Sequence, residues 1–432
     1  MTPKQAGSRA IWSWALYDFA NSPFTTLVVT FVYATYFTQV IAPDPIAGTV
    51  LWSRAVALTA VVVAACSPIL GALADRGGFR KLFVMLSTLC CVLATTGLYF
   101  VLPGHVWAAL ALLVAANVAF EFGTVFYNAF LPNLAPPGRI GRISGYGWGL
   151  GYLGGLLALA VALVTLIQPD VPWLGFSTES GQNIRATNLL VAVWFLVFSL
   201  PLFLWVDEPR PRHTDGRRVV AAAFAQLHRT LQEIRKHRQV VRFLVARMIY
   251  NDGLVTIFAF GGIYAAGTFG FTLQEVLVFG IVLNLAAGLG ALTMGHLDDW
   301  IGGKPTLVIS LVGLFAGTLL AVVAPSELWL WVAGIIIGIF IGPNQSASRT
   351  MMARFVPPDA QNEFFGFFAF SGKLTAFLGP LLLGVLTQWS GSQRVGVSVV
   401  LLLFGLGLVL LATVDEEEGM RVSGFRRPTD RH

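Results

Sequence analysis

The sequence predicts an all-α membrane protein with twelve transmembrane helices in two pseudo-symmetric six-helix bundles. Twelve apolar stretches are each long enough to cross a bilayer, which takes about 20 apolar residues. Only 12% of the 432 residues are charged and 56% are hydrophobic, whereas about 25% of residues are charged in soluble domains. The stretches form two groups of six, separated by a polar segment, and the two groups resemble each other.

The positions of the apolar stretches give the predicted spans and a division of the chain into four parts. The spans are 12–40, 51–74, 82–102, 106–131, 145–167, 187–206, 243–269, 274–297, 305–324, 328–350, 364–387 and 395–414. The four parts are an N-terminal bundle at 1–206, a linker at 207–242, a C-terminal bundle at 243–414 and a tail at 415–432.

The linker contains a predicted surface helix at 219–237. Its apolar residues at helical spacing are Phe224, Leu227, Leu231 and Ile234, and its basic residues are Arg229, Arg235 and Lys236. We interpret it as a helix that lies on the membrane between the bundles. A helix of this kind can also bind anionic lipid or a partner, which is the functional alternative.

The distribution of Lys and Arg predicts the orientation. One set of short loops holds only Arg54, Arg185 and Arg394, whereas the other set, the linker and the tail hold most of the basic residues. Basic loops stay in the cytoplasm, so both termini are expected to be cytoplasmic. The short loops and the lack of a targeting extension favour a bacterial cytoplasmic (inner) membrane. Because the net charge of +6 arises in these loops, it does not indicate nucleic acid binding.

The two halves of the chain match at two places in the same order. Gly71-Ala-Leu-Ala-Asp75-Arg76-Gly-Gly78-Phe-Arg80-Lys81 follows span two, and Gly295-His-Leu-Asp-Asp299-Trp-Ile-Gly302-Gly-Lys304 follows span eight, an offset of 224 (295 − 71). Ala135-Pro136-Pro137 and Val356-Pro357-Pro358 give an offset of 221 (357 − 136). Two matches at nearly one offset indicate a duplicated six-span unit, which is typical of secondary transporters.

The first of these loops resembles the signature loop of the major facilitator superfamily. Further stretches are similar to its vacuole-effluxer-like branch, the "unknown major facilitator" family: Trp14–Ser22, Phe126–Pro132, Tyr250–Gly253, Asn344–Arg349, Glu363–Gly366 and Ser371–Lys373. The resemblance covers nearly the whole chain. It implies the major facilitator fold and passive or ion-coupled solute transport, and fungal members are linked to amino-acid efflux from the vacuole.

The resemblance also implies a role for the signature loops in gating. The residues concerned are Gly71, Asp75, Arg76, Gly78, Arg80 and Asp299. Asp75 would face the N-terminus of span eleven and Asp299 that of span five, where the helix dipole favours a carboxylate. These contacts would latch the cytoplasmic side shut. The alternative is that the basic residues only hold the loops in the cytoplasm.

Four ionisable side chains lie inside predicted spans: Asp18, Glu121, Asp252 and Lys373. Each costs about 2.5–3.5 kcal/mol to insert at the membrane centre, so such residues are usually functional. Helical rise places all four roughly 9–15 Å from the cytoplasmic edge. They could bind the two ends of a zwitterion or a coupling ion, or they could form ion pairs that tie helices, with Lys373 bridging Asp18 or Asp252. Arg247, Arg349 and Glu363 are expected near the inner interface.

Polar neighbours extend the predicted substrate or coupling-ion site. They are Tyr17, Asn21, Asn128, Asn251 and Gln345, with Tyr250 and Asn344 beside them. Pro23 should break span one after Asn21-Ser22, because it lacks a backbone donor and clashes with the preceding turn. The alternative is that these polar groups only join helices to one another.

The sequence therefore predicts a monomeric transporter that uses no cofactor. It has no phosphate-binding loop, metal-ligand spacing or nucleophile motif, so we expect neither catalysis nor a metal site. The expected function is alternating-access transport of an amino acid or related zwitterion, coupled to protons at Asp18, Asp252 or Glu121. One alternative is export of amphipathic drugs through an aromatic cavity formed by Tyr17, Phe24, Phe126, Tyr127 and Phe258. Another is a non-transporting sensor or scaffold that acts through 207–242.

Overall fold

The computed structural model of the protein describes residues 7–179, 181–208, 216–233 and 235–425. Within these ranges twelve helices are long and apolar enough to cross a membrane. They are Ser8–Ile41, Pro45–Gly77, Arg80–Tyr99, Val106–Leu134, Pro137–Ile167, Gln182–Trp205, Arg238–Phe269, Gln274–Ile301, Gly303–Val323, Glu327–Phe355, Gln361–Ser390 and Gln393–Ala412. The twelve predicted spans are confirmed. Most helices continue past the apolar stretch, because polar residues at the ends keep the helical hydrogen bonds.

The spans pack as two six-helix bundles with the same internal contacts. In the first half, span one packs on spans five and six, span two on span four, and span three on spans four and six. The same pairs recur in the second half: seven with eleven and twelve, eight with ten, and nine with ten and twelve. The bundles meet mainly where span two packs on span eleven and span five packs on span eight.

Glycines allow these cross-bundle helices to touch backbone to backbone. A Cβ on Gly145 would lie 2.4 Å from the carbonyl oxygen of Ala291, and one on Gly366 would lie 2.4 Å from that of Ser67. Gly366 lies 221 residues after Gly145 (366 − 145), and Ala291 lies 224 residues after Ser67 (291 − 67). These are the offsets of the sequence repeat, so the duplication extends to the contacts between the bundles.

The prediction that Pro23 breaks span one is wrong. An α-helix at Ser8–Pro23 continues directly as a π-helix at Phe24–Phe31. Pro23 cannot donate to the carbonyl oxygen of Phe19 one turn earlier, and Trp194 Nε1 donates to that oxygen instead, at 3.2 Å. The interruption lies instead in span eleven, where one helix ends at Lys373 and the next begins at Leu378.

Two helices outside the spans lie on the side of the molecule that carries the signature loops, which we call the signature side. The linker helix, Gly216–Gln232, packs on span two and buries Ala223 and Gln226, whereas Phe224 is exposed. Of the predicted apolar stripe, Phe224 therefore does not pack on the protein, and Leu227 is half-buried. The side chain of Leu231, the residue Ile234 and the basic residues of the tail beyond 425 lie outside the described residues. A second helix, Glu416–Ser423, follows span twelve.

Candidate functional site: a layer of polar contacts between the bundles

Asp75 caps the beginning of span eleven from the opposite bundle. Its Oδ1 accepts hydrogen bonds from the backbone N and the Nδ2 of Asn362, at 3.0 and 2.7 Å, and its Oδ2 accepts one from the backbone N of Glu363 at 2.9 Å. The first N–H groups of a helix have no partner within it, and the helix dipole favours an anion there. This is the position that the family resemblance implies, and we call the contact the Asp75 latch.

Asp299 makes the equivalent contact at the beginning of span five. Its Oδ1 accepts from the backbone N of Gly141 at 2.6 Å, and its Oδ2 accepts from the backbone N and the Nε of Arg142 at 3.1 and 2.8 Å. We call this contact the Asp299 latch. The two latches lie on the same side of the molecule and join the two bundles there.

The rest of the first signature loop supports the Asp75 latch. Arg80 is buried and donates across the bundle boundary to Asn362 Oδ1 at 3.1 Å and Gln361 Oε1 at 2.9 Å. A Cβ on Gly71 would lie 2.3 Å from the carbonyl oxygen of Asn362, so only glycine fits there. Gly78 ends span two with φ of 64°, which favours glycine. Arg76 Nε is buried and has no hydrogen-bond partner among the described residues.

Sequence reasoning missed two glutamates that follow spans six and twelve. Glu208 Oε1 accepts from the backbone N of Lys81 at 3.0 Å, and Glu416 Oε2 accepts from the backbone N of Lys304 at 3.0 Å. The signal was present, because Val-Asp-Glu occurs both at 206–208 and at 414–416. Burial raises the pKa of the Glu208 carboxyl, although the bond from Lys81 opposes this shift. Each glutamate thus joins the end of its bundle to a signature loop.

Asp18 of span one pairs with Arg349 of span ten across the two bundles. Arg349 Nη1 lies 2.9 Å from Asp18 Oδ2 and 3.2 Å from Asn128 Oδ1. The Nε and Nη2 of Arg349 donate to Oγ and O of Ser144, at 2.9 and 2.7 Å. The guanidinium also lies 4.9 Å from the ring centroid of Trp14, a distance at which a cation–π contact is favourable.

The sequence placed Arg349 near the inner interface without a partner, whereas in the structure it forms an ion pair that joins the two bundles. Its side chain is 3% exposed, because span ten continues to Phe355 and carries Arg349 into the boundary between the bundles. The repeat contained a signal for this position, since Arg349 lies 221 residues after Asn128 (349 − 128), its hydrogen-bond partner.

Lys373 pairs with Glu121 of span four. Lys373 Nζ donates to Glu121 Oε1 at 2.6 Å, and the two side chains are 31% and 18% exposed. The expected bridge from Lys373 to Asp18 or Asp252 is wrong, because Glu121 is the carboxylate within reach of its ammonium group. This pair is more accessible than the pair of Asp18 with Arg349 and has fewer partners among the described residues.

Asp252 has no cationic partner among the described residues. It is 1% exposed, its Oδ1 accepts from Thr375 Oγ1 at 3.1 Å, and its Oδ2 has no partner within the described ranges. The neighbouring Asn251 donates through Nδ2 to the carbonyl oxygen of Gly372 at 3.1 Å. Span seven therefore holds the interrupted part of span eleven on both sides of Lys373.

The remaining predicted residues differ in whether they pack inside one bundle or join the two bundles. Tyr17 is 1% exposed and its hydroxyl lies 2.8 Å from Thr88 Oγ1, so it packs inside the N-terminal bundle. Asn21 is also buried. Gln345 is half-buried and accepts from the hydroxyl of Tyr152 at 2.6 Å, which makes it another contact between the bundles.

The expected aromatic cavity is not formed. Tyr17, Phe24, Phe126 and Tyr127 are each at most 2% exposed, since they fill the interior of the N-terminal bundle, and Phe258 is 51% exposed. Within the described ranges, no three His, Cys, Asp or Glu side chains are grouped where they could hold a metal ion.

The hydrogen bonds between the bundles, as far as the described residues show them, lie between the signature loops and the middle of the spans. They extend from Asp75 and Asp299 at the ends of spans two and eight to the pairs Glu121–Lys373 and Tyr152–Gln345 near mid-span. The structure is therefore closed on the signature side.

Comparison with known families now identifies the fold and the family. The family described as "Vacuole effluxer Atg22 like" matches residues 46–424. The chain belongs to this vacuole effluxer Atg22-like family. Its members are transporters of the major facilitator type, so the resemblance noted in the sequence is confirmed.

Two relatives show how far the similarity of this Atg22-like chain extends. It is 28% identical to YxiO, an uncharacterized MFS-type transporter of Bacillus subtilis, over 95% of this chain and 96% of the relative. It is 25% identical to autophagy-related protein 22 of Yarrowia lipolytica, over 87% of this chain and 76% of the relative.

Solved structures confirm the major facilitator fold of the Atg22-like chain. The proton:xylose symporter XylE bound to 6-bromo-6-deoxy-D-glucose is similar with a TM-score of 0.74 and 12% identity, over 95% of this chain and 96% of the other. The human organic anion transporter MFSD10 is similar with a TM-score of 0.71 and 14% identity, over 93% of this chain and 99% of the other. At these identities the likeness concerns the fold alone.

Proposed function

We propose that this Atg22-like protein is a secondary active transporter that moves an amino acid or a related small zwitterion by alternating access, coupled to protons. The observation that carries the proposal is the ion pair of Glu121 with Lys373. It joins the bundles near mid-span and both of its side chains are partly exposed. A solute that enters between the bundles can therefore reach it.

The chemistry of this pair suits a zwitterion. Lys373 can bind a carboxylate and Glu121 an ammonium group, so the solute would replace one ion pair by two. Separating the pair without a solute would leave two charges poorly compensated in a low-dielectric region, which is costly. A bound zwitterion removes that cost, so the bundles could separate on the signature side more readily when loaded than when empty.

The pair of Asp18 with Arg349 suits a different role in this proposal. Arg349 is buried, and Asp18, Asn128 and Ser144 all accept its hydrogen bonds. A guanidinium with so many partners has little capacity left for a solute. We assign this pair to holding the signature side closed, together with the Asp75 and Asp299 latches.

Asp252 is the carboxylate that we assign to proton coupling. It is buried, has no cation beside it among the described residues, and bonds to Thr375 in the interruption of span eleven. Buried ionisable groups within spans commonly mark proton pathways. Because Thr375 is two residues from Lys373, protonation of Asp252 could alter the position of the proposed binding lysine.

The orientation proposed with this function places the signature side in the cytoplasm. Its support is the excess of Lys and Arg in the loops on that side. We propose a bacterial inner membrane as the location and a monomer as the working unit.

Solute flux into proteoliposomes tests the proposal. Counterflow should be measured with an amino acid, the amine that lacks its carboxylate and the acid that lacks its amino group. Lys373→Gln should impair the amino acid and the acid more than the amine, and Glu121→Gln should impair the amino acid and the amine more than the acid. Arg54→Gln, which removes an exposed positive charge at the end of span two opposite the signature loop, is the matched control.

The outcomes separate the competing functions. Equal losses for all three solutes in both variants would make the pair a purely structural tie between helices. Binding of solutes without flux in the wild type would favour a sensor or scaffold. Flux of amphipathic compounds but of no amino acid would favour the exporter, which has less structural support because four of its five aromatic residues are packed inside a bundle.

A further inference from the structure

The linker helix, Gly216–Gln232, contacts a residue that belongs to the Asp75 latch. Gln226 is 4% exposed and donates through Nε2 to Glu363 Oε2 at 2.5 Å. The backbone N of the same Glu363 donates to Asp75 Oδ2. One hydrogen-bonded chain therefore connects the linker helix, span eleven and span two.

The two latches differ at this point. At the Asp299 latch the second capping residue is Arg142, whose side chain forms an ion pair with Asp299 at 2.8 Å. The equivalent residue at the Asp75 latch is Glu363, 221 positions later (363 − 142), so a carboxylate lies where the repeat has a cation. Two carboxylates at one helix N-terminus repel each other. Gln226 supplies a donor to Glu363 that the latch itself lacks.

The side of the linker helix that faces away from span two exposes apolar and basic side chains. Val220 and Phe224 are 47% and 56% exposed and Arg229 is exposed as well, whereas Arg235 and Lys236 are exposed in the turn that follows the helix. The helix lies between the end of span six at Trp205 and the start of span seven at Arg238, hence at the membrane boundary. Basic residues at this level attract anionic lipids, and apolar side chains insert among the headgroups.

We propose that the linker helix is a lipid-sensitive clasp: its outer face binds an anionic membrane surface, and its inner face closes the Asp75 latch through Gln226 and Glu363. Anionic lipid that holds the helix at the surface thereby stabilises the state closed on the signature side. The inference rests on the proposed alternating access and is independent of which solute is transported.

A distance measurement between spin labels tests the clasp without any solute. In a chain whose Cys66, Cys90 and Cys91 are replaced by alanine, labels are placed at Arg139→Cys and Asp359→Cys, exposed positions on the signature side of opposite bundles. The distance distribution is compared in vesicles of phosphatidylcholine and in vesicles that also contain phosphatidylglycerol. We expect phosphatidylglycerol to increase the share of the short distance, and high salt to cancel the increase because it screens the charges.

Variants separate the two faces of the helix. Arg229→Glu should reduce the lipid-induced change in the closed-to-open ratio by about five-fold. Arg54→Glu, a charge reversal on the opposite side, should leave the lipid-induced change as in the wild type. Gln226→Leu should lower the fraction of molecules that are closed on the signature side (the closed share) in both kinds of vesicle. If the lipid effect persists in Arg229→Glu and in high salt, the outer face is not a lipid site, and an unaltered closed share in Gln226→Leu overturns the clasp.

Discussion

Arg349 Nη1 lies 2.9 Å from Asp18 Oδ2, and this contact joins span ten of one bundle to span one of the other. The side chains are 3% and 14% exposed. Arg349 pairs with Asp18, and Lys373 pairs with Glu121 instead. The polar contacts between the bundles therefore contain one closed pair, Asp18–Arg349, which is mostly buried, and one accessible pair, Glu121–Lys373.

Replacing Arg349 by methionine should destabilise the protein strongly. It would leave Asp18, whose side chain is only 14% exposed, without its cation, and removing one partner of a buried ion pair typically costs about 3–5 kcal/mol. The double variant Asp18→Asn, Arg349→Met should recover part of the loss, because it leaves no uncompensated charge. Thermal unfolding in detergent measures both, and Lys373→Met, which interrupts the more exposed pair, is the comparison. Similar losses for Arg349→Met and Lys373→Met would contradict the division into closed and accessible pairs.

Asp252→Asn should abolish accumulation driven by a pH gradient and retain exchange of solute for solute. Asparagine keeps the size of the side chain and the contact to Thr375 but cannot carry a proton on and off. Uptake with an imposed gradient and counterflow without one measure the two activities in the same proteoliposomes. Asp359→Asn, at an exposed loop position, is the control. Gradient-driven uptake as in the wild type would remove Asp252 from the coupling step.

Asp75→Asn should change turnover more than solute affinity. The substitution removes the anion from the start of span eleven, which weakens the latch by up to about 2 kcal/mol because Asp75 is partly buried. The state closed on the signature side is then less populated, and the return step of the cycle slows. Steady-state transport and equilibrium binding separate the two effects, and Asp299→Asn should behave alike. A loss confined to affinity would argue against a latch.

Gly366→Ala should prevent the signature side from closing fully. The added Cβ would lie 2.4 Å from the carbonyl oxygen of Ser67, a backbone atom that cannot rotate away, so spans two and eleven must separate. Gly384→Ala lies in the same span and meets no atom within 4 Å, which makes it the matched control. The label pair at 139 and 359 reports the distance. A distance distribution shared by both variants would show that the close approach is not required.

The sequence predicted the twelve spans because hydropathy over some 20 residues is a local property of the chain. It also predicted the duplicated unit, since Asp75 and Asp299 lie in matched loops at a constant offset. The offset of the second sequence match, 221, relates Gly145 to Gly366 in the structure (366 − 145). A second repeat, Val-Asp-Glu at 206–208 and 414–416, was equally visible and marks the two glutamates that bond to the signature loops.

By itself, then, the sequence determined which stretches are long and apolar enough to cross a membrane and which parts of the two halves correspond. Only the tertiary structure decided which charges pair. Counting residues along a helix gives the depth of Asp18, Glu121 or Lys373, but not the direction in which each side chain points. That direction depends on how helices from different bundles pack, and this packing placed Arg349 beside Asp18 and Glu121 beside Lys373. The interruption of span eleven, rather than span one, was decided in the same way, by contacts from Asn251 and Asp252 on span seven.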